Sequence, residues 1–338
     1  MDLKKLKKEL EKVERPLIYF DDDPDGLCSF LMVYKFLQRG TGVLVKSAPH
    51  LDKSFAAASK NYQPDKIIVL DKAGIDQEFI DEVNTPIIWV DHHGPLERKG
   101  DVQYFNPRIK DPKSYVPTSL IIYNTLKNSL WLSAVGTIGD WADLPYLDEL
   151  NKKYPKLVGK ETEIENILFK TNLGKLVNIF SFILKGATHK VMQCVKILTR
   201  IEDPMEILEP KTAAGKYLKK HYHHFEKEFL ELKNEAIKSY DKDDPILLFS
   251  YGSNKTSFTA DIAKYLIHAH PEKIVIVARE NDGRMKMSLR SRKKVINKIL
   301  PESIEGLDGY GGGHELACGA NVLKSDFDEF IKRFREKL

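Results

Sequence analysis

Three short runs of β-favouring, almost uninterrupted apolar residues each end on an aspartate, and this pattern leaves few folds open. Leu17-Ile18-Tyr19-Phe20 runs into Asp21, Lys66-Ile67-Ile68-Val69-Leu70 into Asp71, and Pro86-Ile87-Ile88-Trp89-Val90 into Asp91. A strand that is apolar on both sides is covered on both faces, as in a parallel sheet with helices above and below it. Helix-periodic stretches separate the runs; residues 27–37 are one, stopped by Gly40, and a further strand is expected over 43–49. In such sheets ligands gather beyond the carboxyl ends of the strands, so the three aspartates converge by topology. The expected class is α/β: a parallel-sheet domain, a helical connector and a smaller α/β domain.

The 338 residues suffice for about two such domains. The boundaries are expected at 1–150 for the first domain, 151–242 for a Lys/Glu-rich helical connector or insertion, and 243–338 for the second domain. No apolar run approaches ~20 residues, so no membrane span is expected. The charged start MDLKKLKKELEK lacks the apolar core of a signal peptide. Cys28, Cys194 and Cys318 are odd in number and widely spaced, which suits reduced thiols in a cytoplasmic protein. A net charge of +4 neither requires nor opposes a nucleic-acid partner.

Two constellations carry chemistry. The first begins at Asp21-Asp22-Asp23-Pro24-Asp25-Gly26; on an extended chain Asp21, Asp23 and Asp25 share one side. Carboxylates crowded in this way repel one another unless a cation lies among them. Adding Asp71, Asp91, His92, His93 and Asp140 gives a hard donor set suited to two divalent ions, Mn²⁺ first and Mg²⁺ second. Two such ions serve phosphoryl displacement. The second constellation is Gly309-Tyr310-Gly311-Gly312-Gly313-His314, preceded by Arg290 and Arg292. Successive glycines let backbone N–H groups approach an anion, and arginine reads phosphate with two parallel donors.

These residues resemble the DHH phosphoesterases, and among them the RecJ-like single-strand exonucleases and oligonucleotide phosphodiesterases of compact archaeal type, the Hef-associated nuclease group included. Asp21-x-Asp23-x-Asp25-Gly26, Asp71, Asp91-His92-His93-Gly94 and Asp140 match the four motifs in order, and Asn106-Pro107 matches the family's Asn-Pro element. Lys72 departs from the asparagine common in RecJ. The resemblance implies that Asp21, Asp23 and Asp71 hold one metal and that Asp25, Asp71, His92 and Asp140 hold the other. Asp91 would orient a ligand histidine or ligate weakly, and His93 would face the scissile phosphate. Asn106, Arg290, Arg292, Gly311, Gly312, Gly313 and His314 would bind substrate, and the resemblance implies a catalytic parallel-sheet domain with the active site in the cleft between the two α/β domains. The implied activity is metal-dependent exonucleolytic hydrolysis of single-stranded DNA or RNA to nucleoside monophosphates, in DNA repair or replication. The alternatives are a phosphodiesterase for very short RNA or for a cyclic dinucleotide and, in another class, a non-catalytic replication scaffold. A replication or repair partner would dock on the helical middle; polarity and oligomeric state stay open.

Overall fold

Each of the three apolar runs is a strand. The structure, a computed structural model, describes residues 1–338 apart from Ser47 and Pro49, so the last part of the strand expected over 43–49 lies outside the described residues. Two compact units are present, Met1–Tyr222 and His223–Leu338.

In the first unit α1 (Leu3–Glu11) leads into β1 (Pro16–Asp21), α2 (Pro24–Leu37), β2 (Thr41–Val45), β3 (His50–Leu51), α3 (Ala56–Tyr62) and β4 (Lys66–Leu70). There follow β5 (Gly74–Ile75), α4 (Gln77–Val83), β6 (Ile87–Val90) and β7 (Val102–Phe105). Five strands form an all-parallel sheet in the order β2-β1-β4-β6-β7, while β3 and β5 make a separate parallel pair. Tyr19, Val69 and Trp89 point to one face and pack with Phe79 and Ile75. The neighbouring positions Phe20, Ile68 and Val90 are equally buried, as a doubly covered sheet requires.

The apolar stretch from 117 to 139 forms two helices, α5 (Thr118–Leu126) and α6 (Leu130–Gly139). Lys127 and Ser129, at φ 56° and 50°, adopt left-handed backbone that ends one helix and turns the chain into the next. Both helices pack against α2. From residue 147 onward the chain is helical: α7 (Leu147–Lys153), α8 (Ile164–Lys170), α9 (Asn172–Ile183), α10 (Thr188–Leu198), α11 (Met205–Leu208) and α12 (Ala213–Lys238). The boundary between the two units falls within α12. Among the described residues no helix is long and apolar enough to cross a membrane.

The second unit contains β8 (Ile246–Tyr251), α13 (Thr259–Ala269), β9 (Ile274–Asn281), β10 (Arg284–Arg290), α14 (Ile296–Ile304), β11 (Gly309–His314), β12 (Ala317–Leu323) and α15 (Phe327–Glu336). Its sheet runs β11-β12-β10-β9-β8, antiparallel except for the β8–β9 pair. Met285, Met287, Leu289 and Val322 from the sheet meet Leu300, Phe330 and Phe334 from α14 and α15 in its core. The glycine-rich segment is thus an edge strand. A Cβ on Gly311 would stand 2.9 Å from Leu300 and 3.0 Å from Ile304, so this glycine lets α14 lie directly on the strand. At Gly312 nothing lies within 4 Å of that position.

Candidate metal centre

β1, β4 and β6 deliver Asp21, Asp71 and Asp91 to one edge of the parallel sheet, and the loops that follow add the rest. The turn after β1 is tight: a Cβ on Gly26 would lie 2.8 Å from the main-chain N and O of Asp21, so only glycine admits this approach. Asp23 caps α2, accepting the Gly26 N–H at 2.8 Å. Asp71 has φ 61°, a left-handed conformation that aspartate tolerates better than most residues. His92 and His93 follow β6, and Asp140 is the C-cap of α6.

Three overlapping groups of donor atoms result, each with its atoms within 4.8 Å of one another: Asp21, Asp23 and Asp71; Asp25, His92 and Asp140; and Asp71, His92 and His93. His92 Nε2 is 3.4 Å from Asp71 Oδ1 and 3.2 Å from Asp140 Oδ2. Asp71 and His92 each belong to two groups, so adjacent cations would share ligands.

The electrostatics fit a cation site. Burial, reinforced by Asp140 and Asp23 and opposed by His92, lifts the Asp25 carboxyl to about 7. Burial, opposed by Lys72 and reinforced by Asp23, lifts Asp21 to about 7 as well. Asp71 is pushed up by burial together with Asp25, Asp23, Asp140 and Asp21. Burial and the neighbouring His93 pull His92 down, which favours the neutral imidazole that ligation needs. The donors are oxygen and nitrogen. Cys28 is buried close by, and burial with the charge of Asp25 raises its thiol well above the ordinary range, which removes a thiolate from the set. Hard or borderline divalent ions suit these residues.

Asp25 also belongs to the scaffold. Its Oδ2 accepts the Thr118 N–H at 2.7 Å and its Oδ1 the Ser119 N–H at 2.9 Å, satisfying the first turn of α5. The Thr118 hydroxyl donates to Asp71 Oδ1 at 3.0 Å. Gly136 on α6 makes room for this junction: its Cβ would lie 2.4 Å from Ser119 Oγ and 3.0 Å from Asp25 Oδ1.

Asp91 lies outside the three groups. Its carboxylate, fully buried, accepts from His93 Nδ1 at 2.7 Å, the His93 N–H at 3.1 Å, the Tyr104 hydroxyl at 3.1 Å and Asn106 Nδ2 at 3.2 Å. The histidine it orients is therefore His93 and not His92. Burial pulls the His93 ring down, but the Asp91 bond and charge, with Asp140 and Asp21, outweigh it and hold the imidazole up at about 9. Asn106 is buried, donating from Nδ2 to Asp91, the His93 carbonyl and Tyr104 while Oδ1 accepts the Arg108 N–H at 2.8 Å. It braces the pair from behind.

The second constellation lies in the second unit. Arg290 and His314 both register opposite Ala317, one on either side of β12, so the two side chains share a row on this sheet. Arg290 Nη1 donates to the Leu289 carbonyl at 2.8 Å, while Arg292 is exposed beyond the end of β10. Gly312 registers opposite Gly319, and both are exposed.

Sequence reasoning passed over Tyr104, Tyr115, Thr118 and Ser119, and left Lys72 without a role. Tyr115 donates its hydroxyl to the Asp140 carbonyl at 2.8 Å. The signal for Thr118 and Ser119 was Pro117: a helix starting just after a proline exposes main-chain N–H groups that need an acceptor.

Comparison with known proteins agrees with this fold. Residues 15–147 match the DHH family N-terminal domain and residues 247–338 match the DHHA1 domain. The chain thus belongs to the DHH family, with a RecJ-like fold. RecJ from Thermus thermophilus in complex with Mn²⁺ superposes with a TM-score of 0.71 over 99% of this chain at 17% identity. This chain spans about half of that one, 54%. An exonuclease RecJ bound to manganese gives 0.59 at 16% identity, covering 100% of this chain and 94% of the other. CDC45 from Entamoeba histolytica gives 0.55 at 8% identity, covering 99% and 98%. No curated protein matches significantly. Identities this low speak to fold.

Proposed function

We propose that this chain is a two-metal phosphodiesterase that shortens single-stranded DNA or RNA from an end, releasing nucleoside monophosphates, in repair or replication. The observation that carries this reading is the pair of donor groups Asp21, Asp23, Asp71 and Asp25, His92, Asp140, which approach where His92 Nε2 lies 3.4 Å from Asp71 Oδ1. Asp21, Asp23 and Asp71 would hold one divalent ion, and Asp25, Asp71, His92 and Asp140 the other. Bound there, Mn²⁺ or Mg²⁺ supplies Lewis acidity for water activation and neutralises charge on the scissile phosphate. The protein's own part is positional. Asp91 keeps His93 protonated with Nδ1 engaged, and an imidazolium is a donor on both nitrogens, so His93 is suited to a phosphate oxygen and unsuited to ligation. Arg290 and His314, with the Gly311–Gly313 main chain and Arg292, would take a further substrate phosphate. Water adds to phosphorus, the P–O bond to the rest of the strand breaks, and the leaving oxygen takes up a proton.

The test uses a trinucleotide and a long single strand, as DNA and as RNA, labelled at either end and incubated with Mn²⁺, Mg²⁺ or EDTA beside Asp140→Asn. Stepwise shortening of the long strand, metal-dependent and absent from the variant, is the expected result. Cleavage confined to the trinucleotide would replace the exonuclease with an oligonucleotide phosphodiesterase. Absence of cleavage with either metal would overturn the enzyme reading and favour a scaffold.

A further inference from the structure

One positive charge is built into this acidic site. Lys72 follows Asp71 directly, and its side chain is 2% exposed, against 25% for Asp21. Its ammonium donates to Asp21 Oδ1 at 2.7 Å and to the Ala48 carbonyl. The backbone is pinned as well, because the buried Trp89 indole N–H donates to the Lys72 carbonyl at 2.9 Å. A buried ammonium is stable only when paired and hydrogen-bonded, and both conditions are met here. The enclosed stem and two acceptors also hold the ammonium in place.

We propose that Lys72 is a resident cation of this site, which stabilises the ion-free protein and competes with a divalent ion for Asp21. The inference rests on the two-metal reading above. The group Asp21, Asp23 and Asp71 offers three carboxylates, and Lys72 offsets one of them before any ion arrives. An ion entering that group shares Asp21 with the ammonium at short range and meets its repulsion through a poorly screened interior. In the group Asp25, His92 and Asp140, the Asp25 carboxylate is met by the neutral N–H groups of Thr118 and Ser119, and this group serves as the internal reference. The structure therefore assigns to Lys72 the setting of divalent-ion affinity at one group and not at the other.

The experiment is a Mn²⁺ titration of the metal-stripped full chain, read by calorimetry and by the electron paramagnetic resonance of free Mn²⁺, for wild type, Lys72→Met and Lys72→Gln. The expected result is that one class of ion tightens about tenfold or more in Lys72→Met, as loss of a nearby unit charge predicts, while the other shifts little. The metal-free melting temperature should fall, because Asp21 loses its buried hydrogen-bonded partner. In an Asp21→Asn background the tightening should vanish. If Lys72→Met does not fold without metal, Lys72→Gln supplies a neutral donor of similar reach and should tighten the same class. Unchanged or weaker Mn²⁺ binding in both variants would overturn the proposal and make Lys72 an aligning residue for Asp21. A wild type that binds no Mn²⁺ would instead overturn the two-metal reading.

Discussion

Replacing Asp91 by asparagine should separate two effects of one carboxylate. In the wild type Asp91 accepts four hydrogen bonds, two of them from His93. Asparagine retains one acceptor oxygen and turns an NH₂ group toward Asn106 Nδ2 or Tyr104. Two donors then face each other in a dry interior, at a cost of about 1–3 kcal/mol at every pH. The second effect depends on pH. His93 is held at about 9 against its ordinary 6.5, so the folded chain retains a proton that the unfolded chain releases between those values. That difference is worth about 3 kcal/mol, or about 2 kcal/mol after discount for the exposed part of the ring. A raised histidine contributes fully below pH 6.5 and loses its contribution as pH rises through 9. In EDTA, Asp91→Asn should therefore be most destabilised below pH 6.5, with the deficit narrowing as pH rises from 6.5 to 9. Urea denaturation of both proteins across that range measures the deficit, and NMR titration of the His93 ring should show it moving down in the variant. A deficit independent of pH, or a His93 ring still titrating near its wild-type value, would refute the assignment of Asp91 as its charge partner.

Metal removal should also carry a pH signature. Because Asp25 is lifted to about 7 from 3.8, its charged form is penalised in the folded state. The metal-free melting temperature should fall as pH rises between those values, while Mn²⁺ stabilises more at the upper end. A flat profile in EDTA would count against the crowded-carboxylate description. Gly136→Ala forces a methyl group onto Ser119 and Asp25, so a loss of about 1–3 kcal/mol is expected, together with weaker Mn²⁺ binding; thermal melts and the same titration check both.

Much of the first unit was legible because burial on both faces leaves an unmistakable trace: strands that are apolar throughout, each running into an aspartate. In the second unit the apolar run Ile246–Tyr251 leaves the same trace and forms β8. What escaped depended on contacts between distant segments. β11 has glycine at four of six positions and carries no strand signal; it is a strand because β12 offers a partner and because α14 lies on Gly311. The break between α5 and α6 rests on left-handed backbone at Lys127 and Ser129, which nothing in a run of apolar residues announces. Within the site, motif order brought the acidic residues to notice. The distinction between candidate ligands and an orienting acid required the hydrogen bonds of Asp91, since spacing treats the strand-end and loop acids alike.

Because Asp25 closes the first turn of α5 while also belonging to a donor group, the centre and the scaffold share an atom set. A carboxylate clamped by two main-chain N–H groups is already aimed, so little ordering would remain for an ion that bound it. The same economy complicates genetics. An alanine at Asp25 unseats a helix as well as removing a candidate donor, and one at Asp71 places a residue less tolerant of left-handed backbone at φ 61°. Loss of activity in either variant would confound chemistry with folding. Asp140, whose side chain is 20% exposed and which follows the last residue of α6, is the cleaner place to test the centre.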